Sequence, residues 1–134
     1  MNALYDFFLT PQPKDSNKTR YHARLVVRDT ITLEDIAETI ESRSSLRQSD
    51  VIGSFIEFAN VFKQELSNGN SIHIPGIGSF RIKAESPEVR SPKEIRAENI
   101  HCSGIVFTPE KDLLRELNRD VQQAIELVRA NAAG

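Results

Sequence analysis

Ile72-His73-Ile74-Pro75-Gly76-Ile77-Gly78-Ser79-Phe80-Arg81-Ile82 is the stretch on which the reading of this chain turns. It follows a long apolar-striped segment that stops at Asn68-Gly69-Asn70. Two glycines flanking Ile77 let the backbone bend sharply where residues with a Cβ resist. Apolar residues alternate with polar ones on both sides, Ile72 and Ile74 before the bend, Phe80 and Ile82 after it. That is the period of strands with one buried face. The local order is therefore helix, tight turn, strand, glycine bend, strand.

Upstream, Thr32-Leu33-Glu34-Asp35 has the spacing of a capping box. It opens a first helix, ending near Ser42, whose stripe is Leu33, Ile36, Ala37 and Ile40. Glu34 and Asp35 occupy its first turn, where the helix dipole favours acids. After the connector Ser44-Ser45-Leu46-Arg47, a second helix is expected from about Gln48 to Ser67. Its stripe of Val51, Ile52, Phe55, Phe58, Ala59, Phe62 and Leu66 recurs every three or four residues. Gly69 suits a left-handed C-terminal position. Three phenylalanines exceed what one short neighbouring helix covers. A core shared between two chains is preferred over a monomer core, because the expected sheet is small.

Downstream, strands are expected at Ser71–Pro75, Ser79–Ala84 and Ile100–Phe107. Residues 85–94 hold two prolines without an apolar pattern and read as loop or arm. Thr108 is placed as the cap of a last helix, with Pro109 at its first position. Its stripe runs Leu113, Leu114, Leu117, Val121, Ala124, Ile125 and Val128, and a frayed end is expected over Ala130–Gly134. At the N-terminus, residues 3–9 and Tyr21–Arg28 are strand-like around a polar turn, Thr10–Thr19, with two prolines. They read as a hairpin, or as one strand and a mobile arm. The chain thus divides into an N-terminal extension, 1–31, and a main domain, 32–134.

Composition narrows the function classes. Of 134 residues, 27% are charged and 39% hydrophobic, as in ordinary globular chains. No apolar run approaches the roughly 20 residues that span a bilayer, and no signal peptide is expected from Met1-Asn2-Ala3-Leu4-Tyr5-Asp6. Cys102 is the only cysteine, so no intrachain disulfide can form; it is expected to be a small packed residue. His22, His73 and His101 have no metal-ligand spacing, so no metal or cofactor is expected. His73 and His101 sit in strand patterns and read as structural residues. Neither they nor Ser44-Ser45 form a nucleophile–base arrangement, and Gly76-x-Gly78 precedes a strand rather than a phosphate-binding helix. An enzyme is not expected. Net charge is −2, which does not favour a polyanion partner. The distribution is uneven: residues 32–68 carry three Lys/Arg against seven Asp/Glu, residues 69–111 six against five. Acidity concentrates in the helices, and the strand region is mildly basic.

Taken in order, these features resemble the HU and integration-host-factor family of bacterial DNA-bending proteins. The residues that carry the resemblance are Leu46-x-x-x-Asp50-Val51 at a helix start, Leu66 and Gly69 at its end, and Gly76-Ile77-Gly78-Ser79-Phe80. The family usually has Gly-Phe-Gly-x-Phe at that last site. Phe107-x-Pro109 with Lys111 and Leu114 is similar to the family's entry into its C-terminal helix. Met1–Thr30 and Ser91–Ile100 resemble the extended HU-related, histone-like proteins of Bacteroidetes-type bacteria.

The resemblance implies an α+β, HU-like intertwined dimer. It would have two N-terminal helices, a β-sheet with extended arms and a C-terminal helix, plus the N-terminal β-hairpin. It implies a cytoplasmic, nucleoid-associated protein that binds and bends double-stranded DNA with low sequence specificity, with no membrane partner. Either identical or different chains could pair. Phe55, Phe58, Phe62, Phe80 and Phe107 would form the dimer core. In the family's wedge mode a proline near each arm tip enters the minor groove and kinks the duplex. The nearest match is Arg90-Ser91-Pro92, which makes Pro92 the wedge, ahead of Pro87, and Arg90 the minor-groove cation. Arg81, Lys83, Lys93 and Arg96 would meet phosphates. Glu85, Glu88, Glu94 and Glu98 depart from that pattern. They favour the alternative, an HU-fold interaction protein that dimerises but binds DNA weakly or not at all.

Overall fold

The structure is a computed structural model that describes residues 4–9 and 21–133. The polar turn Thr10–Thr19 expected between the first two strands lies outside the described residues. The chain divides into two compact units, Leu33–Leu114, and Met1–Thr32 together with Arg115–Gly134.

In the second of these units β1 (Leu4–Leu9) and β2 (Tyr21–Val26) pair antiparallel, Leu4 opposite Val26 and Leu9 opposite Tyr21. The hairpin, rather than a lone strand with an arm, is therefore the arrangement formed.

The unit Leu33–Leu114 begins with α1 (Leu33–Arg43) and α2 (Gln48–Ser67). Arg47, the residue capping α2, supplies no side-chain cap. Glu41 does so from the preceding helix, its carboxylate accepting from the Gln48 amide at 2.6 Å. The far end of α2 closes in a Schellman arrangement, in which Gly69 N–H donates to Leu66 and Asn70 N–H to Glu65. There follow β3 (Ile72–Ile74), β4 (Gly78–Glu85) and β5 (His101–Pro109), an antiparallel sheet in that order.

The bend between β3 and β4 is a tight turn in which Ile77 N–H donates to Ile74 C=O at 3.0 Å. Pro75 and Gly76, with φ of +83° at Gly76, supply the two central conformations of a type II turn. Gly78 has a different reason to be glycine. A Cβ there would fall 2.3 Å from the Thr108 carbonyl oxygen.

The C-terminal helix α3 spans Lys111–Ala133. Two expectations are corrected here. β5 continues through Thr108 and Pro109, because Pro109 pairs with Gly78, so neither residue starts the helix. Glu110 takes that place, its carbonyl accepting from Leu114 N–H. The expected fraying from Ala130 is replaced by helix to Ala133, as an alanine-rich end with high helix propensity permits.

Very little of the unit is sealed. Among the described residues only Ala37, Val51 and Leu66 are buried apolar side chains. Phe55, Phe58 and Phe107 remain 44%, 43% and 43% exposed, and Phe62 and Phe80 are half-buried. The rings nonetheless form a row: Phe58 to Phe62 at 5.7 Å, Phe62 to Phe80 edge-on at 5.2 Å, Phe80 to Phe107 at 4.8 Å. Such spacings give favourable aromatic pairs. The row runs from α2 across the sheet, and among the described residues its rings stay partly open to solvent.

Candidate nucleic-acid interface

β3 pairs only with Gly78–Phe80, so β4 and β5 leave the sheet as a two-stranded ribbon from Arg81 and Val106 outward to Glu85 and His101. Five residues of strand at about 3.4 Å each make it roughly 17 Å long. Side chains alternate across it. Phe80 and Ile82 pair with Phe107 and Ile105 on the face of the aromatic row. Arg81 and Lys83 lie on the other face, opposite Val106 and Gly104. Cations and aromatic row are thus sorted to opposite sides by the pleat. Arg81 is exposed, and its guanidinium makes no hydrogen bond or ion pair among the described residues.

The register shifts between Lys83 and Ala84, leaving Ser103 as the extra residue of a bulge. The Ser103 hydroxyl donates to the Lys83 carbonyl at 3.2 Å. Beyond the bulge the described residues of the ribbon, Ala84, Glu85, His101 and Cys102, are exposed. Cys102, expected to be packed, is exposed there, its thiol donating to the Gly104 carbonyl at 3.4 Å.

Residues 86–100 join the strands. This stretch holds two single 3-10 turns, Pro92–Glu94, within the residues 85–94 expected as loop or arm, and Ala97–Asn99. Ser91 caps the first: its hydroxyl accepts from Lys93 N–H at 3.4 Å, and Pro92 stands at the first position, where a missing N–H costs nothing. The Glu94 carboxylate accepts from Arg90 N–H at 3.2 Å. Ser91-x-x-Glu94 has the spacing of a capping box, a local sequence signal for this turn. Arg90, Pro92, Lys93 and Arg96 are exposed. The Arg96 guanidinium donates to the Lys93 carbonyl at 3.2 Å, tying the two turns together.

The acids of the arm do different things. Glu85 lies 3.7 Å from the Lys83 ammonium, with both side chains more than half exposed, a pair of little energetic weight. The carboxylates of Glu88 and Glu98 make no hydrogen bond or ion pair among the described residues.

One constellation had no sequence signal. His73 Nδ1 is 3.1 Å from the Ser79 hydroxyl, and Nε2 is 3.1 Å from Glu110 Oε1. Glu110 Oε2 accepts from Gly76 N–H at 3.1 Å, and Glu110 N–H donates to Ile77 C=O at 3.0 Å. Glu110 thereby straps the glycine bend to the start of α3, and His73 holds the strap. Only the register that sets β5 beside the bend brings residues 73, 76 and 110 together.

Beside the aromatic row lies an open groove of about 540 Å³, lined by Leu33, Phe55, Phe58, Phe62, Ile74 and Phe80 among others. Four of the five phenylalanines expected to form a core between chains lie on this groove, and Phe107 touches Phe80 behind it. Among the described residues no helix is long and apolar enough to cross a membrane.

Comparison with known proteins places these features. Residues 1–123 match the family described as an HU domain fused to wHTH, Ig, or glycine-rich motif. The chain is 34% identical over 92 residues to integration host factor subunit beta of Colwellia psychrerythraea, covering 66% of this chain and 95% of that protein. In fold it is similar to the crystal structure of a Bacteroides vulgatus protein provisionally assigned as a bacterial DNA-binding protein, with a TM-score of 0.57 at 18% identity. That match covers 84% of this chain and spans 44% of the longer Bacteroides chain.

Proposed function

Because the chain belongs to the HU and integration-host-factor family, we propose that it binds double-stranded DNA with little sequence preference, as a dimer, and bends the duplex between two β-arms. The observation that carries this reading is the ribbon, which presents Arg81 and Lys83 on the face away from the aromatic row. One face can then meet phosphates while the other stays with the protein body. Arg90 and Lys93 at the turn of residues 91–95 extend the same cationic set, and Pro92 is the wedge candidate. A wedge unstacks a base step at a cost of a few kcal/mol, which the added phosphate contacts of a bent duplex offset.

The dimer rests on the open side of the aromatic row. A unit that seals only Ala37, Val51 and Leu66 has too little core to offset the entropy of ordering its backbone. A second copy laid over Phe55 and Phe58 supplies the missing layer. Affinity should be modest, because the acids of the arm oppose phosphate contacts.

The test is retardation of a long duplex together with light scattering. The protein should have the molar mass of two chains, bind at about 50 mM salt and lose most of its binding by about 200 mM. Failure to bind at the lower salt refutes the DNA reading. The four acids of the arm, Glu85, Glu88, Glu94 and Glu98, favour a second reading, an HU-fold body that dimerises and serves as an interaction protein. A two-chain mass with no retardation at low salt selects it.

A further inference from the structure

We propose that Glu94 is a positioning residue of the arm tip, holding Arg90, Pro92 and Lys93 in the conformation that meets DNA; this rests on the DNA-binding reading above. By charge alone, Glu94 is a liability on such an arm, one of four acids that repel phosphate. The geometry sets it apart from the other three. Its carboxylate accepts the Arg90 amide at 3.2 Å, and its own amide donates to the Ser91 carbonyl at 2.9 Å. The turn closes further through Ile95 N–H to the Pro92 carbonyl at 3.2 Å and Lys93 N–H to the Ser91 hydroxyl at 3.4 Å. Glu94 thus binds the residue before the turn and the residue that caps it. Arg90, Pro92 and Lys93, three of the residues assigned to DNA, lie within or directly beside the segment it closes.

The consequence is a specific division of effects. An arm tip ordered before binding loses less conformational freedom when DNA arrives. The Glu94 charge weakens phosphate contact, whereas the Glu94 hydrogen bond strengthens tip recognition. Substitution separates the two. Glu94→Gln removes the charge and keeps an oxygen acceptor for Arg90 N–H. Glu94→Ala removes both. Glu98→Ala removes an equal charge from a carboxylate with no hydrogen bond or ion pair among the described residues and serves as the control.

The experiment measures duplex affinity at low salt for the full chain and these three variants, with the solvent-exchange rate of the Arg90 amide by NMR. Glu94→Gln and Glu98→Ala should bind as tightly as the unsubstituted protein or more tightly. Glu94→Ala should bind about fivefold more weakly than Glu94→Gln, and its Arg90 amide should exchange about fivefold faster, the size expected for loss of one cap. Glu94→Ala binding as tightly as Glu94→Gln, or unchanged Arg90 exchange in Glu94→Ala, overturns the proposal. Absence of DNA binding by the unsubstituted protein overturns the functional reading instead, and the Arg90 amide then decides by itself whether Glu94 holds the turn.

Discussion

Replacing Gly78 by alanine should be among the most damaging single-methyl changes available in this chain. The added Cβ would lie 2.3 Å from the Thr108 carbonyl oxygen and 2.8 Å from Pro109 Cα. Ordinary contacts of a Cβ begin near 3.4 Å, so the overlap is about an ångström. Both obstacles are backbone atoms of β5, which cannot rotate aside as a side chain would. Gly78 also has a φ of +150°, which alanine adopts only under strain. Such a backbone costs about 1–3 kcal/mol. Parting the strands by an ångström also threatens the adjacent Glu110 N–H to Ile77 C=O bond, worth about 1 kcal/mol. The total is roughly 3 kcal/mol, against a usual domain stability of about 5–15. At about 4–8 °C per kcal/mol for a domain of 60–100 residues, Tm should fall by about 12–24 °C. The assay is a thermal melt by circular dichroism at one fixed protein concentration, since coupled assembly makes Tm depend on concentration. Gly104→Ala is the internal control, because a Cβ there meets nothing within 4 Å and its φ is ordinary; it should melt within a few degrees of the unsubstituted protein. If Gly78→Ala also melts within a few degrees, the reasoning about close approach at the bend is wrong.

Three further outcomes are expected. Phe58→Asp places a charge on the open aromatic row and should weaken self-association by at least about thirtyfold; sedimentation that still finds two chains at the same concentration contradicts the role given to that row. Arg81→Ala should lower the slope of log affinity against log salt by about one per chain while weakening all duplex sequences alike, and a sequence-dependent loss would count against phosphate contact. Glu41→Ala removes the carboxylate that accepts the Gln48 amide and should cost about 1 kcal/mol in a thermal melt, with Glu41→Gln largely sparing it.

Where local chemistry sets the outcome, the sequence was legible. The residues of α2 could be read end to end because its apolar stripe and the Asn68-Gly69-Asn70 stop are both properties of a few neighbouring positions. The same holds for the alternation of Phe80 and Ile82 with Arg81 and Lys83, which sorts the ribbon into two faces once the segment is a strand. The start of α3 departs from its local signal for an equally physical reason. Thr108-Pro109 satisfies the rules for a helix N-terminus, yet the same residues also complete a strand ladder, and pairing with Gly78 prevailed. Local preference is worth tenths of a kcal/mol per residue, and a register shared over eight residue pairs outweighs it.

What the order of residues settles without a fold is therefore the set of elements, their apolar faces and the family whose pattern they follow. Folding alone settles which distant groups meet. His73 and Gly76 reach Glu110 across more than thirty positions, Glu41 caps a helix that begins seven residues later, and the Phe80–Phe107 contact spans the arm. These contacts depend on strand register and helix packing, which the cooperation of many weak interactions selects and no short window of sequence encodes.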